Sequence, residues 1–190
     1  TVTCNTPGGQ PVSMDNLKAV SALAKKYGVP VVLDGARFAE NAYFIKTREP
    51  GYEHISIRDI VKEMMSFADA MTMSSKKDAI VNMGGFIAFR DEELFRRASV
   101  FNILFEGYIT YGGMSGRDMN ALAQGLYEGT EFNYLETRVE QVAYLGRKLS
   151  VAISSFFLAS FLFSVVFFLL SIFKSKVLVF FLIWLSYLIL

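Results

Sequence analysis

Short apolar runs alternate with amphipathic stretches over residues 1–149. Three of the runs are bounded by turn-forming residues, which is typical of buried strands, and they lie at residues 29–33, 70–74 and 84–89. Apolar positions at helical spacing predict helices at residues 13–27, 56–67, about 90–105 and 134–149. Strands separated by helices of this length predict an α/β fold with a mostly parallel sheet and flanking helices.

Side chains capable of chemistry follow two of these predicted strands. Asp34 comes directly after the run 29–33, and the sequence Ser-Ser-Lys-Lys-Asp occupies residues 74–78 at the end of the second run. In sheets of this kind, ligands bind at the carboxyl ends of the strands. We therefore expect a ligand site where these two segments meet.

Each of these residues also has a purely structural explanation. A lysine at a strand end, such as Lys77, can lose its proton through desolvation and act as an amine nucleophile, but the segment also fits a solvated basic turn. Asp34 is suited either to pairing with a cationic ligand, such as a protonated pyridine nitrogen, or to capping the next helix. Arg37 is placed to pair locally with Asp34 or Glu40.

The charge pattern divides the chain after residue 149. All 18 acidic residues precede that point, and residues 150–190 carry only Lys174 and Lys176. The uncharged run Val151–Phe173 is long enough to cross a bilayer, which takes about 20 apolar residues. Three interpretations stay open: a membrane anchor, a buried core helix, or a frame-shifted reading frame rich in Phe, Leu and Ser. We therefore predict two segments, a globular one (1–149) and an apolar helical tail (150–190).

Single residues and overall charge exclude several classes of function. Cys4 and His54 are each the sole residue of their type, so an internal disulfide, a cysteine-based metal site and a two-histidine metal motif are excluded. Residues 1–149 are near neutral, and no basic patch indicates nucleic-acid binding. The first residues do not resemble a signal peptide, and we expect a cytoplasmic chain whose sequence begins partway through a longer protein.

Four segments together carry a specific resemblance to a known family. They are Asn-Thr-Pro-Gly-Gly-Gln-Pro-Val-Ser (5–13), Asp-Gly-Ala-Arg-Phe-Ala-Glu-Asn-Ala-Tyr-Phe-Ile-Lys (34–46), Ser-Ser-Lys-Lys-Asp (74–78) with Gly84-Gly85, and Glu106-Gly107 with Tyr111-Gly112-Gly113. With this order and spacing, residues 1–149 resemble the central part of the β-eliminating lyases, that is, tryptophanases and tyrosine phenol-lyases. The resemblance implies part of the large domain of a fold-type I enzyme that uses pyridoxal phosphate.

The resemblance implies cofactor-binding roles at five matching positions. Lys77 would hold pyridoxal phosphate covalently, and Asp34 would keep the pyridine nitrogen protonated so that the ring accepts electrons. Asn5 and Arg37 would contact the phenolic oxygen of the ring. Ser74 would bind the cofactor phosphate. In the implied reaction, Lys77 is released by the substrate amine and then removes the Cα proton.

Three further positions have implied roles around the cofactor. Lys76 would sit beside the site. The backbone carbonyl of Asn82 would be one ligand of a monovalent cation, typically potassium. Tyr111 would lie near an active site, that of a neighbouring subunit in a homotetramer.

Two functional hypotheses of different classes follow. The first is a carbon–carbon lyase that cleaves L-tryptophan to indole, pyruvate and ammonia. The alternative within this class is a tyrosine phenol-lyase. The second is a non-catalytic remnant, membrane-tethered if the tail is a true anchor. The resemblance places groups for the cofactor phosphate, the cofactor ring and the substrate carboxylate in family regions outside residues 1–149, so we expect this polypeptide alone to be inactive or nearly so.

Overall fold

The computed structural model describes residues 1–4, 6 and 8–172, without the side chains of 168 and 170–172. The described residues divide into two units, Thr1–Arg138 and the part of the chain from Val139 onward. In chain order, the described elements are α1 (Met14–Tyr27), β1 (Val32–Asp34), α2 (Phe38–Arg48), α3 (Ile57–Ser66), β2 (Ala70–Ser74), β3 (Gly85–Phe89), α4 (Glu92–Phe105), α5 (Gly116–Glu128) and α6 (Phe132–Ile172).

Local capping residues set the ends of α1 and the start of α3. Ser13 begins α1, and its hydroxyl oxygen accepts the Asn16 N–H at 3.2 Å. Gly28 ends α1 in the left-handed conformation (φ 64°), which glycine adopts without a steric penalty. Ser56 begins α3 in the same way and accepts the Asp59 N–H at 3.1 Å. The sequence prediction of these two helices is confirmed.

The sheet has the order β1-β2-β3 and mixed strand directions. β1 runs parallel to β2, with Asp34 opposite Thr72, whereas β2 and β3 are antiparallel. The prediction of a mostly parallel sheet is therefore correct for the first pair and wrong for the second. Residues 75–84, which connect β2 to β3, are too few for the crossover that a parallel pairing needs, which takes about a dozen residues or more.

Helices α2 and α3 contribute much of the core of the first unit. α2 buries apolar side chains on more than one face, among them Phe38, Ala39 and Tyr43, and α3 buries Ile57, Ile60 and Met64 along one stripe. Asn41 of α2 is also fully buried. Its amide accepts the Val12 N–H at 2.8 Å and donates to the Val12 carbonyl at 2.9 Å, which fixes the segment before α1.

The tail segment forms part of α6 in the described residues. The helix predicted for 134–149 lies within α6, which continues to residue 172, and residues 173–190 lie outside the described part. Among the described helices, α6 alone is long and apolar enough to cross a membrane by length and composition, and none of its apolar window is buried. This exposure argues against the buried core-helix interpretation of the tail.

Candidate active site

The carboxyl ends of β1 and β2 lie at the same edge of the sheet. Asp34 is the last residue of β1 and Ser74 the last of β2. The Gly35 N–H donates to the Thr72 carbonyl at 2.9 Å, which holds the chain leaving β1 against β2. The structure therefore brings together the two segments that the sequence predicted to form a ligand site.

Asp78 connects the lysine turn to the start of α2. Its Oδ2 accepts the backbone N–H groups of Ala39 at 2.7 Å and Glu40 at 3.0 Å, and its own N–H donates to the Ala36 carbonyl at 3.3 Å. The first N–H groups of a helix lack partners within the helix and carry partial positive charge. Arg37, the residue before α2, makes no side-chain cap bond, so Asp78 caps this helix from a distant part of the chain.

The Asp78 carboxyl is buried in a charged neighbourhood. Burial raises its pKa from 3.8 to about 6; the N–H bonds from Glu40 and Ala39 and the Arg138 guanidinium oppose that rise, and the Glu40 carboxylate adds to it. Arg138 of α6 pairs with Glu40 at 2.7 Å between Nη2 and Oε1. Glu40 therefore has an ion-pair partner in Arg138, which differs from the local partner, Arg37, that the sequence suggested.

Two backbone hydrogen bonds shape the turn that carries the lysines. The Ser75 N–H donates to the Gly84 carbonyl at 3.0 Å, and the Ile80 N–H donates to the Lys77 carbonyl at 3.1 Å. Ile80 has a φ of 57°, a left-handed conformation that is rare for a β-branched residue. Lys76 is exposed and Lys77 is half-buried, so the two adjacent amines are in different environments.

The residues at this edge carry functional groups that suit pyridoxal phosphate. Lys77 could supply an amine for the aldehyde, Asp34 a carboxylate for the pyridine nitrogen, and Ser74 a hydroxyl for the phosphate. The adjacent Ser75 hydroxyl is buried and has no hydrogen-bond partner among the described residues. A buried hydroxyl of this kind calls for a partner, and a phosphate oxygen is a suitable acceptor.

Asp34 lies in the turn after β1 and does not cap the helix that follows. Asp34 is exposed, and its Oδ1 accepts the Ala36 N–H at 3.2 Å within the turn before α2. The interpretation of Asp34 as the cap of the next helix is therefore wrong, because Asp78 supplies that cap. Arg37, which directly precedes α2 in the sequence, is half-buried.

The remaining predicted site residues are Asn5, Tyr111 and Asn82. Asn5 is outside the described residues. Tyr111 lines a cavity of about 540 Å³ formed by β3, α4 and residues 106–114, and neither Lys77, Asp34 nor Ser74 lines it. Asn82 is exposed on the loop before β3, and the described residues contain no cluster of three or more His, Cys, Asp or Glu side chains that could hold a metal ion.

Sequence reasoning missed the groups that hold the lysine turn in place. Asp78 was grouped with the lysines without a role, because the sequence offered Asp34 as the cap of the next helix. Gly125 of α5 and Gly129, the residue that ends this helix, both pack against the turn. A methyl group on Gly125 would overlap the carbonyl oxygen of Ala79, and one on Gly129 would overlap that of Asp78. Residues four apart at the end of a helix share one face, which here approaches its neighbour closely.

Comparison with known proteins identifies the family. The family model described as beta-eliminating lyase matches residues 1–160. The chain is 60% identical over 149 residues to a probable beta-eliminating lyase of Trichomonas vaginalis, covering 78% of this chain and 32% of that protein. It is 56% identical over 151 residues to a tyrosine phenol-lyase of Lacrimispora saccharolytica, covering 80% of this chain and 32% of the relative.

A third relative carries the other name of the family. The chain is 56% identical over 149 residues to a probable tryptophanase of Aeropyrum pernix, covering 78% of this chain and 32% of that protein. The chain thus spans about one third of the length of the curated relatives it matches. The family match includes the whole sheet edge and the lysine turn, and on this evidence the chain belongs to the β-eliminating lyases, a family that generally depends on pyridoxal phosphate.

Proposed function

We propose that this chain provides the lysine-bearing part of the pyridoxal phosphate site of a carbon–carbon lyase acting on aromatic amino acids. One observation carries the proposal: the turn with Lys77 is hydrogen-bonded, through Asp78, to the turn that bears Asp34 and Arg37. The two segments lie 40 residues apart in sequence, and both end a strand at the same sheet edge. That edge is where α/β sheets bind ligands.

The side chains at this edge would divide the work of the reaction. Pyridoxal phosphate, when bound, supplies an electron-withdrawing ring that stabilises negative charge on the substrate Cα. Lys77 Nζ would hold the cofactor and, once released, take up the Cα proton. Asp34 would hold a proton at the ring nitrogen by a charge-assisted hydrogen bond, and Ser74 would donate its hydroxyl to the phosphate.

Covalent attachment of pyridoxal phosphate at Lys77 tests this function directly. We expect the purified 190-residue chain, kept in detergent micelles because α6 exposes apolar side chains, to develop visible absorbance when the cofactor is added. The Lys77 amine adds to the aldehyde carbon and water leaves, so Lys77→Ala should lose this absorbance. Borohydride reduction followed by peptide mass mapping identifies the attachment residue.

Lys76→Ala is the matched control, because it removes the adjacent and more exposed amine. It should retain attachment at position 77. Attachment in Lys77→Ala at the level of the unsubstituted chain would show that Lys77 is not the cofactor-binding lysine. Pyruvate formation from tryptophan by the unsubstituted chain would contradict our expectation that this polypeptide alone is inactive.

Replacing Asp34 by asparagine should weaken cofactor binding and leave the fold intact. Asn retains an oxygen for the Ala36 N–H, and the site is exposed, so the free energy of unfolding should change by no more than about 0.5 kcal/mol. Loss of a charged hydrogen bond to the ring nitrogen should weaken pyridoxal phosphate binding roughly tenfold or more. Titration of the visible absorbance measures the affinity, and unchanged affinity would remove Asp34 from the proposed site.

Tryptophan is the substrate that we favour within the proposed class. Segments such as Ala24-Lys25-Lys26-Tyr27 and Gly125-Leu126-Tyr127 resemble tryptophanases more closely, while the relatives carry both names. We further propose a potassium ion at the Asn82 carbonyl, a homotetrameric assembly with Tyr111 near a neighbouring site, and a cytoplasmic location. A complete assembly that forms pyruvate faster from tyrosine than from tryptophan would reverse the substrate assignment.

The exposed apolar surface of α6 supports the alternative of a membrane-tethered, non-catalytic remnant. The described part of α6 from residue 151 onward is almost wholly exposed and uncharged, which suits lipid better than water. Flotation of the chain with phospholipid vesicles, compared with a chain ending at residue 149, tests the tether. Resequencing the coding region distinguishes a real tail from a frame shift.

A further inference from the structure

The residue directly after the proposed cofactor lysine is anchored more firmly than the lysines themselves. Asp78 is 2% exposed, whereas Lys76 is exposed and Lys77 half-buried. Its carboxylate accepts both the Ala39 and the Glu40 N–H groups at the start of α2. A carboxylate at this end of a helix is held by the hydrogen bonds and by the positive end of the helix dipole.

The backbone around Asp78 is held by further contacts. Its N–H donates to the Ala36 carbonyl, between Asp34 and Arg37. Its carbonyl oxygen lies against Gly129, and that of Ala79 lies against Gly125, so closely that neither glycine has room for a methyl group. The main chain just after Lys77 therefore has little freedom to slide or to rotate about its own axis.

We propose that Asp78 is a positioning residue that selects Lys77, and not Lys76, as the lysine that meets the cofactor, an inference that rests on the proposed function. Adjacent residues in a turn point in different directions, and rotation of this turn would exchange the places of two chemically identical amines. The Asp78 carboxylate prevents that rotation because it fixes the turn to the helix that follows Asp34 and Arg37.

An ion pair between Glu40 and Arg138 is linked to the Asp78 carboxylate through the Glu40 N–H. Glu40, whose N–H binds Asp78, directs its side chain to Arg138, with 2.7 Å between Oε1 and Nη2. Arg138 also donates to the Tyr134 hydroxyl at 3.2 Å. Arg138 thus pairs with the Glu40 carboxylate, which would otherwise repel the carboxylate of Asp78 more strongly.

The alternative is that Asp78 serves only as a helix cap. The chain offers a matched control in Asp91, which caps α4 by accepting the Leu94 N–H at 2.6 Å and lies beyond β3, outside the lysine turn. Both aspartates satisfy free N–H groups at a helix start. Only Asp78 also adjoins the lysines, so the two roles predict different results for the choice between Lys76 and Lys77.

The experiment measures which lysine carries pyridoxal phosphate in the intact 190-residue chain in detergent micelles. The attachment is fixed by borohydride, and mass spectrometry of the digested chain gives the ratio of modified Lys77 to modified Lys76. Far-ultraviolet circular dichroism verifies that each variant remains folded. In the unsubstituted chain we expect Lys77 to be favoured at least about tenfold, a preference of the size that one charged hydrogen-bonded contact supplies.

Asp78→Ala should reduce the ratio to within about threefold of equality, since the contact that enforces the preference is lost. Asp78→Asn keeps the shape and an acceptor oxygen but not the charge, so its ratio should fall between the two. It also provides the measurement if Asp78→Ala fails to fold. Asp91→Ala should keep the ratio of the unsubstituted chain.

Three results would overturn the inference, and they are distinguishable. An unchanged ratio in a folded Asp78 variant would refute the positioning role while leaving the proposed function standing. Equal shifts in the Asp78 and Asp91 variants would reduce Asp78 to a structural cap. No modification of Lys77 in the unsubstituted chain would overturn the proposed function and this inference with it.

Discussion

Replacing Gly125 by alanine is expected to lower the free energy of unfolding by about 3 kcal/mol, at the upper end of the usual cost of overpacking. The added methyl group would overlap the backbone carbonyl of Ala79, which cannot move aside like the end of a flexible side chain. Alanine is preferred over glycine in helices by about 1 kcal/mol, so the clash must exceed that gain. Urea unfolding followed by circular dichroism measures the change.

Gly116 provides the control within the same helix. It is the first residue of α5, and a methyl group there has open space around it. Gly116→Ala should therefore change the free energy of unfolding by no more than about 0.5 kcal/mol. If Gly125→Ala were as stable as Gly116→Ala, α5 would not pack against the lysine turn as closely as the structure shows.

Features set by adjacent residues were predictable from the sequence. Ser13, Gly28 and Ser56 act within one turn of their own helix, so the local sequence is enough to locate α1 and the start of α3. The strand 70–74 was predicted with its observed bounds, because its apolar run is short and ends at Ser74. For the same reason the sequence pointed to the sheet edge at which Asp34 and Ser74 end their strands.

Features that depend on distant contacts were not predictable. Helix α2 begins at Phe38 without a local cap, and its cap comes from Asp78, which only the folded chain brings near. By contrast, the antiparallel direction of β3 was predictable, because the predicted strands 70–74 and 84–89 leave a connection too short for a parallel crossover. The close approach of α5 shows in the sequence only as Gly125 and Gly129, residues that also suit turns or flexible positions.

No single residue identifies the sheet edge as a candidate site, whereas the arrangement of several residues does. Lys77 alone fits a solvated basic turn, and Asp34 alone fits an exposed turn residue that bonds the Ala36 N–H. Asp78 joins them, because its carboxylate and its N–H both bind the segment that follows Asp34. The folded chain thus converts two separate sequence motifs into one candidate site.

Asp78 should make the stability of the chain fall as the pH rises from about 4 to about 6. Its pKa is about 6 in the folded chain against an ordinary 3.8, because the carboxyl is buried. Between these values the folded state binds the proton and the unfolded state does not, so folding is favoured at low pH and this contribution is lost through pH 6. The shift corresponds to about 3 kcal/mol, since one pKa unit is worth about 1.4 kcal/mol.

Comparison with Asp78→Asn isolates this effect from the titration of other groups. Asparagine has no proton to lose, so the unsubstituted chain should lose about 3 kcal/mol relative to Asp78→Asn between pH 4 and pH 7, with little further change above. Arg138→Met should extend the pH range over which stability falls to higher pH, because the guanidinium lowers the pKa of Asp78. Urea unfolding at a series of pH values gives both differences, and parallel stability curves for the unsubstituted chain and Asp78→Asn would mean that the buried carboxyl titrates as it does in water.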